Sequence, residues 1–182
     1  MKLQLRDYPR IAIFVGLIAA LGLVPGINIL PGVPVTAQTL GVMLAGAVLG
    51  AYRGTLAVLI FEVLVLAGLP LLSGGRGGFA VFTGPTAGYL YGWLIGTWLI
   101  GLVIASLPKL NIAVSAILAF VLGGIIAVYV PGILWYAFSQ GAPVLAVAQG
   151  NLVFLVGDSV KIVIAVLVLL GLKAAYPKAL VN

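Results

Sequence analysis

The chain has 182 residues, 64% of them hydrophobic and 7% charged, with nine basic and three acidic side chains and a net charge of +6. A soluble domain carries roughly a quarter charged residues, so these few charges cannot coat a water-soluble globule and the implied solvent is lipid. The basic residues are spread thinly, most of them at the ends of apolar runs, which excludes a nucleic-acid partner. Without Cys or His there are no disulfides, no thiol chemistry and no imidazole base or ligand, and neither a metal nor a cofactor is expected. Asp7, Glu62 and Asp158 are the whole acidic complement; an intramembrane carboxylate dyad is the conventional catalytic device left, and an enzyme is not expected.

In chain order, Lys2, Arg6 and Arg10 precede the first apolar run. It lacks a small-x-small cleavage site and is read as a retained span from about Arg10 to Val24, stopped at Pro25. Along it Ala12, Gly16 and Ala20 recur every four residues. Such a smooth face lets helices approach closely, either inside the bundle or onto a partner membrane protein. Gly26 to Ala37 contains Pro31 and Pro34 and cannot be regular helix. A short second span, Gln38 to Gly50, is joined through Ala51-Tyr52-Arg53-Gly54 to a third, Thr55 to Leu69.

A second irregular segment starts at Pro70, carries Ser73-Gly74-Gly75-Arg76-Gly77-Gly78 and closes with Gly84-Pro85. It lacks the P-loop spacing, so the chain shows no ATP site of its own. The fourth span runs from about Thr86 to Leu107, closed by Pro108-Lys109, and the fifth from about Ile112 to Val130, ended by Pro131-Gly132. A third irregular stretch is expected to include Trp135, Tyr136, Gln140, Gly141 and Pro143. The last span then begins between Val144 and Leu152 and runs to about Leu172.

Six spans place both termini on one side, together with the turns at Arg53 and Lys109. That side collects Lys2, Arg6, Arg10, Arg53, Lys109, Lys173 and Lys178, against Arg76 alone on the other. The positive-inside rule makes the termini cytoplasmic and turns the three irregular segments outward. There they serve either as connectors or as the walls and lid of an outward pocket, where non-helical backbone is tolerated. Glu62, Asp158 and Lys161 remain inside the spans, each at a cost of about 2.5–3.5 kcal/mol. Asp158 and Lys161 are three apart and share a helix face. They are either a self-neutralising packing pair or the two halves of a ligand site, Asp158 accepting from N–H groups and Lys161 donating to a carboxylate. Arg76 is a second candidate for a carboxylate. Glu62 is left either paired with Lys161 or protonated.

Four blocks, in order, carry a resemblance. They are Val33-Pro34-Val35-Thr36-Ala37-Gln38-Thr39-Leu40-Gly41-Val42-Met43-Leu44-Ala45-Gly46-Ala47-Val48-Leu49-Gly50; Gly68-Leu69-Pro70 leading into Gly74-Gly75-Arg76-Gly77-Gly78; Gly84-Pro85-Thr86-Ala87-Gly88-Tyr89; and Gly157-Asp158-Ser159-Val160-Lys161. Together they resemble the BioY family, the biotin-specific substrate-binding (S) components of energy-coupling factor transporters. The resemblance implies an all-α, single-domain protein over residues 1–182, with six transmembrane helices and three irregular outward loops, in the cytoplasmic membrane. It implies biotin bound from outside, a transmembrane coupling protein as partner, and paired ATPase subunits that consume ATP; self-association into a homo-oligomer is left open.

By the same resemblance the family's last-helix Asp and Lys fall on Asp158 and Lys161, and its loop Gln on Gln38, with Thr36 in the same block. Asp158 is expected at the ureido N–H groups, Lys161 or Arg76 at the carboxylate, and Tyr89 and Trp93 against the ring. The face of Ala12, Gly16 and Ala20 is similar to the helix such components set against the coupling protein. The chain departs from the pattern at Glu62, where an apolar residue is expected, and at Val153-Phe154-Leu155-Val156, which lacks a proline before Gly-Asp. The rival readings are a carrier of another small vitamin or a cation, and a non-transporting membrane scaffold that would bind no ligand.

Overall fold

A computed structural model of the chain describes residues 3–30 and 33–176. Lys2, Pro31 and Lys178 lie outside the described residues. The fold is a helical bundle with one small hairpin. Helix α1 (Asp7–Gly22) leads into strands β1 (Ile27–Leu30) and β2 (Val33–Val35), which pair antiparallel with Ile27 opposite Val35 and Leu30 opposite Val33. The first segment expected to be irregular is therefore partly β, and Pro34 sits in a two-stranded ribbon, where an edge position tolerates the missing N–H.

Helix α2 (Gln38–Leu66) is 29 residues long but is not one rod. Gly50 adopts φ 78°, ψ 175°, a backbone region that L side chains avoid. Beyond it the chain doubles back: a Cβ on Gly54 would lie 2.6 Å from the Ala45 carbonyl oxygen and 3.0 Å from the Gly46 Cα. In an unbroken helix residues nine apart stand about 13 Å apart. The two arms, residues 38–49 and 51–66, match the expected second and third spans, with the break at Gly50 itself. At about 18 Å the first arm is shorter than the hydrocarbon core. Nearly all of it is buried, so it forms the centre of the bundle.

After the glycine-rich segment and the short α3 (Ala80–Thr83), α4 (Ala87–Ser106) returns through the bundle. Its Gly88, Gly92 and Gly96 press against the backbone of the following helix; a Cβ on Gly92 would sit 2.8 Å from the Val128 Cα. That following helix requires a correction. It was expected to end at Pro131, but α5 (Ile112–Ala119), a π-helical turn (Phe120–Ile126) and α6 (Ala127–Gln140) form one continuous helix. Trp135, Tyr136 and Gln140 are thus helical, and the third irregular segment shrinks to residues 141–143. Proline sacrifices one N–H bond and crowds the carbonyl four residues back, here Ala127, where the wide π turn has just ended. A membrane helix absorbs such a local adjustment. Gly141, at φ 62°, is the residue that ends the helix. Helix α7 (Val144–Ala175) starts at the early edge of the expected range and extends past Leu172.

Large apolar side chains such as Val63, Ile95, Val156 and Leu167 lie on the outside, as a lipid solvent permits. At one end Arg53, beside the Gly50 turn, lies 2.9 Å from Asp7 at the start of α1, both side chains buried. The contact is a close charge pair rather than an aligned hydrogen bond, because Arg53 Nε and Nη1 find no hydrogen-bond partner among the described residues.

Candidate ligand-binding cavity

At the opposite end from the Asp7–Arg53 pair, five elements converge on a cavity of about 630 Å³ including its open mouth. Strand β2 and the residues after it contribute Val33, Pro34, Val35 and Thr36, and the first turn of α2 contributes Gln38 and Thr39. Leu72 and Arg76 enter from the glycine-rich segment, whose Gly74, Gly75 and Gly78 all have positive φ. The N-terminal end of α4, with Thr86 just before it, supplies Thr86, Tyr89, Leu90 and Trp93; α6 supplies Val128 and Tyr129; α7 supplies Phe154, Asp158 and Lys161. Tyr89 and Trp93 are four apart, and Phe154, Asp158 and Lys161 follow at four and three, so each helix presents a single face.

All seven residues singled out for the ligand, Thr36, Gln38, Arg76, Tyr89, Trp93, Asp158 and Lys161, line this one cavity. Ala12, Gly16 and Ala20 do not. They are exposed on α1, and a Cβ built on Gly16 would meet no described atom within 4 Å. Packing of α1 onto α2 instead uses Ile11 and Ile18, both buried, with Ile18 against Gly41.

The polar groups of the cavity are already organised. Lys161 Nζ lies 2.7 Å from Asp158 Oδ1 and donates to Thr39 Oγ1 at 2.8 Å. The other carboxylate oxygen, Oδ2, accepts from the Tyr129 hydroxyl. Tyr89 donates its hydroxyl to Asn151 Oδ1 at 2.8 Å, and Asn151 Nδ2 donates to the Val147 carbonyl at 2.8 Å. Gln38 is 1% exposed and spends both amide protons on the carbonyls of Ile18 and Leu71, at 3.2 and 3.1 Å, while its Oε1 accepts from the Ser73 N–H at 3.1 Å. It braces the rim, joining the end of α1 to the loop that carries Arg76. Arg76 donates Nε–H to the Ser73 carbonyl at 3.2 Å. Partial burial lowers the pKa of its guanidinium from the usual value, yet arginine stays cationic in proteins.

Charge balance follows directly. Asp158 and Lys161 neutralise each other, and Arg76 brings a further basic side chain to the lining. The cavity is therefore suited to an anion that also carries N–H donors and an apolar body. Sequence reasoning passed over Tyr129, Thr39 and Asn151. A phenolic hydroxyl inside a long apolar run needs a partner, which was a usable signal for Tyr129; nothing local marked Thr39 as the partner of Lys161. Glu62 does not pair with Lys161. It is 5% exposed, on the second arm of α2, and its Oε1 has no hydrogen-bond partner among the described residues.

The BioY family model matches residues 1–178 of the chain. The biotin transporter BioY of Rhodobacter capsulatus is 45% identical over 96% of this chain and 97% of its own length. That of Rhizobium etli is 44% identical over 94% and 95%. Among solved structures, the S-component for biotin from an ECF-type ABC transporter superposes with a TM-score of 0.89 at 35% identity, covering 93% of this chain and 91% of that one. The matches cover nearly the whole chain, and on that ground the chain belongs to the BioY family.

Proposed function

We propose that the chain is the biotin-binding S component of an energy-coupling factor transporter, capturing biotin from outside the cell for uptake. The observation that carries this is the convergence of Asp158, Lys161, Arg76 and two aromatic walls on one cavity, in a chain whose relatives are named biotin transporters. Biotin has two ureido N–H donors, a ureido carbonyl, an apolar bicycle and a valerate carboxylate. Each Asp158 oxygen, already accepting once, keeps capacity for a second donor, and one of them takes a ureido N–H. Lys161 has three protons and spends two on Asp158 and Thr39, so the third serves the ureido carbonyl. Arg76, which lines the cavity from the glycine-rich segment, takes the valerate carboxylate. Tyr89 and Trp93 pack the bicycle, Thr36 borders it, and Gln38 holds the rim.

In the membrane the chain makes six crossings: α1, the two arms of α2, α4, the continuous α5–α6 helix, and α7. The Asp7–Arg53 contact, which joins the start of α1 to the Gly50 turn, supports placing the N-terminus at the same end as that turn. The basic residues then lie on the cytoplasmic side and the cavity faces out. The exposed face of Ala12, Gly16 and Ala20 takes no part in internal packing and docks the transmembrane coupling protein, whose paired ATPases supply the energy.

The test is binding of radiolabelled biotin to the detergent-purified chain, with thiamine and riboflavin as controls. Saturable binding of biotin alone is the expected result. Absence of biotin binding would refute the proposal and return the scaffold reading.

A further inference from the structure

The Tyr129 hydroxyl has no part in the ligand contacts above, yet it holds the residue at their centre. Tyr129, in the first turn of α6, donates to Asp158 Oδ2 while Lys161 holds Oδ1 at 2.7 Å. Both carboxylate oxygens are thus held by side chains from two helices. The two N–H groups of a cyclic urea flank its carbonyl and diverge, so Asp158 meets one of them with one oxygen, and unrestrained rotation about its last torsion would swing that oxygen off the N–H. A proton committed to Asp158 also leaves the Tyr129 oxygen able to offer a ligand only lone pairs.

The helix itself is built to aim this residue. Phe120, Gly124, Val128 and Gly132 are buried in steps of four. Each such step over-rotates a 3.6-residue helix by about 40°, so three of them would carry the stripe well off its face. The π-helical turn Phe120–Ile126, wider than an α turn, takes up that excess, and π turns of this kind recur at functional sites. Val128 and Tyr129 consequently both reach the cavity.

We propose that Tyr129 is a positioning residue that orients the Asp158 carboxylate for a ureido N–H, aimed there by the π-helical turn. This role rests on the reading of the cavity as the biotin site. It makes the head-group end selective for N–H donors, with the acceptor oxygens of Asp158 on one side and donors at Lys161 and Thr39 on the other.

A double-mutant cycle on the full-length chain tests it, with biotin affinity and the ligand-free Tm measured for wild type, Tyr129→Phe, Asp158→Asn and the double variant. Tyr129→Phe should weaken biotin binding about tenfold, the scale of a hydrogen bond to a charged group. In the Asp158→Asn background the same substitution should cost less than about twofold, because the group it orients is gone. Equal losses in both backgrounds, or an affinity loss matched by a Tm loss that persists without Asp158, would mean a packing role and overturn the proposal. Unchanged affinity in Tyr129→Phe would overturn it too, while biotin binding by the wild type kept the cavity reading intact. No binding by the wild type would overturn that reading and this role together.

Discussion

Asp158→Asn is the sharpest perturbation available, because it changes charge and hydrogen-bond polarity while leaving the shape almost untouched. In the wild-type cavity Oδ1 accepts from Lys161 at 2.7 Å and Oδ2 accepts from Tyr129. Asparagine replaces one of these oxygens with an NH₂ group: turned toward Lys161 it sets donor against donor, and turned toward Tyr129 it makes that hydroxyl accept instead of donate. The ureido N–H loses an ionised acceptor, and Lys161 loses its counter-charge. Truncating one partner of such a desolvated charge contact costs about 2–5 kcal/mol, which is about a thirtyfold to a few thousandfold loss of affinity. Titration of purified variant with radiolabelled biotin reads this directly, and monodispersity on gel filtration confirms the fold. An affinity within twofold of wild type would refute the assignment of Asp158 to the ureido group.

Arg76→Ala should weaken biotin binding at least tenfold but leave binding of biotin methyl ester nearly unchanged, since the ester has no charge for the guanidinium to meet; competition titrations with the two ligands compare them. Gln38→Leu removes three hydrogen bonds that tie Ile18, Leu71 and Ser73 together. It should destabilise the protein by about 2–4 kcal/mol through the lost bonds and the carbonyls left bare, seen as a lowered Tm before any ligand is added. Gly16→Leu meets open space and should keep Tm and biotin affinity, yet block copurification with the coupling protein and biotin uptake by cells; unimpaired uptake would remove α1 as the docking helix.

The properties legible along the chain were those that depend on residues near one another in it. The lipid solvent followed from composition, the two arms of α2 from a turn expected at residues 51–54, which the structure places at Gly50, and the Asp158–Lys161 pair from a three-residue spacing that any helix converts into a shared face. Asp158, Lys161 and Arg76 were marked by their charge, whereas Thr36, Gln38 and Tyr89 stood out through four blocks recognised as a set, and Trp93 through the helix face it shares with Tyr89. The errors also have local causes. Pro131 was read as a terminator by the rule for an isolated helix, whereas the π turn before it and the close-packed α4 beside it keep this one helical. The segment after Gly26 was read as irregular because its prolines forbid a helix, which says nothing of whether two short strands can pair.

Composition and hydropathy by themselves determined that this is a helical membrane protein, where most helices stop, and that a charged pair lies within the last one. Tertiary structure alone decided what those charges do. Thr39 and Lys161 are 122 positions apart and meet at 2.8 Å, and Tyr129 reaches Asp158 from another helix. The rim is held by Gln38 across 20 and 33 positions. Helix packing also decided that the small-residue face of α1 points away from the bundle. Hydropathy and periodicity are properties of neighbouring residues, whereas a buried polar group is satisfied by whichever helix packing brings within about 3 Å, and that register is set by the whole fold.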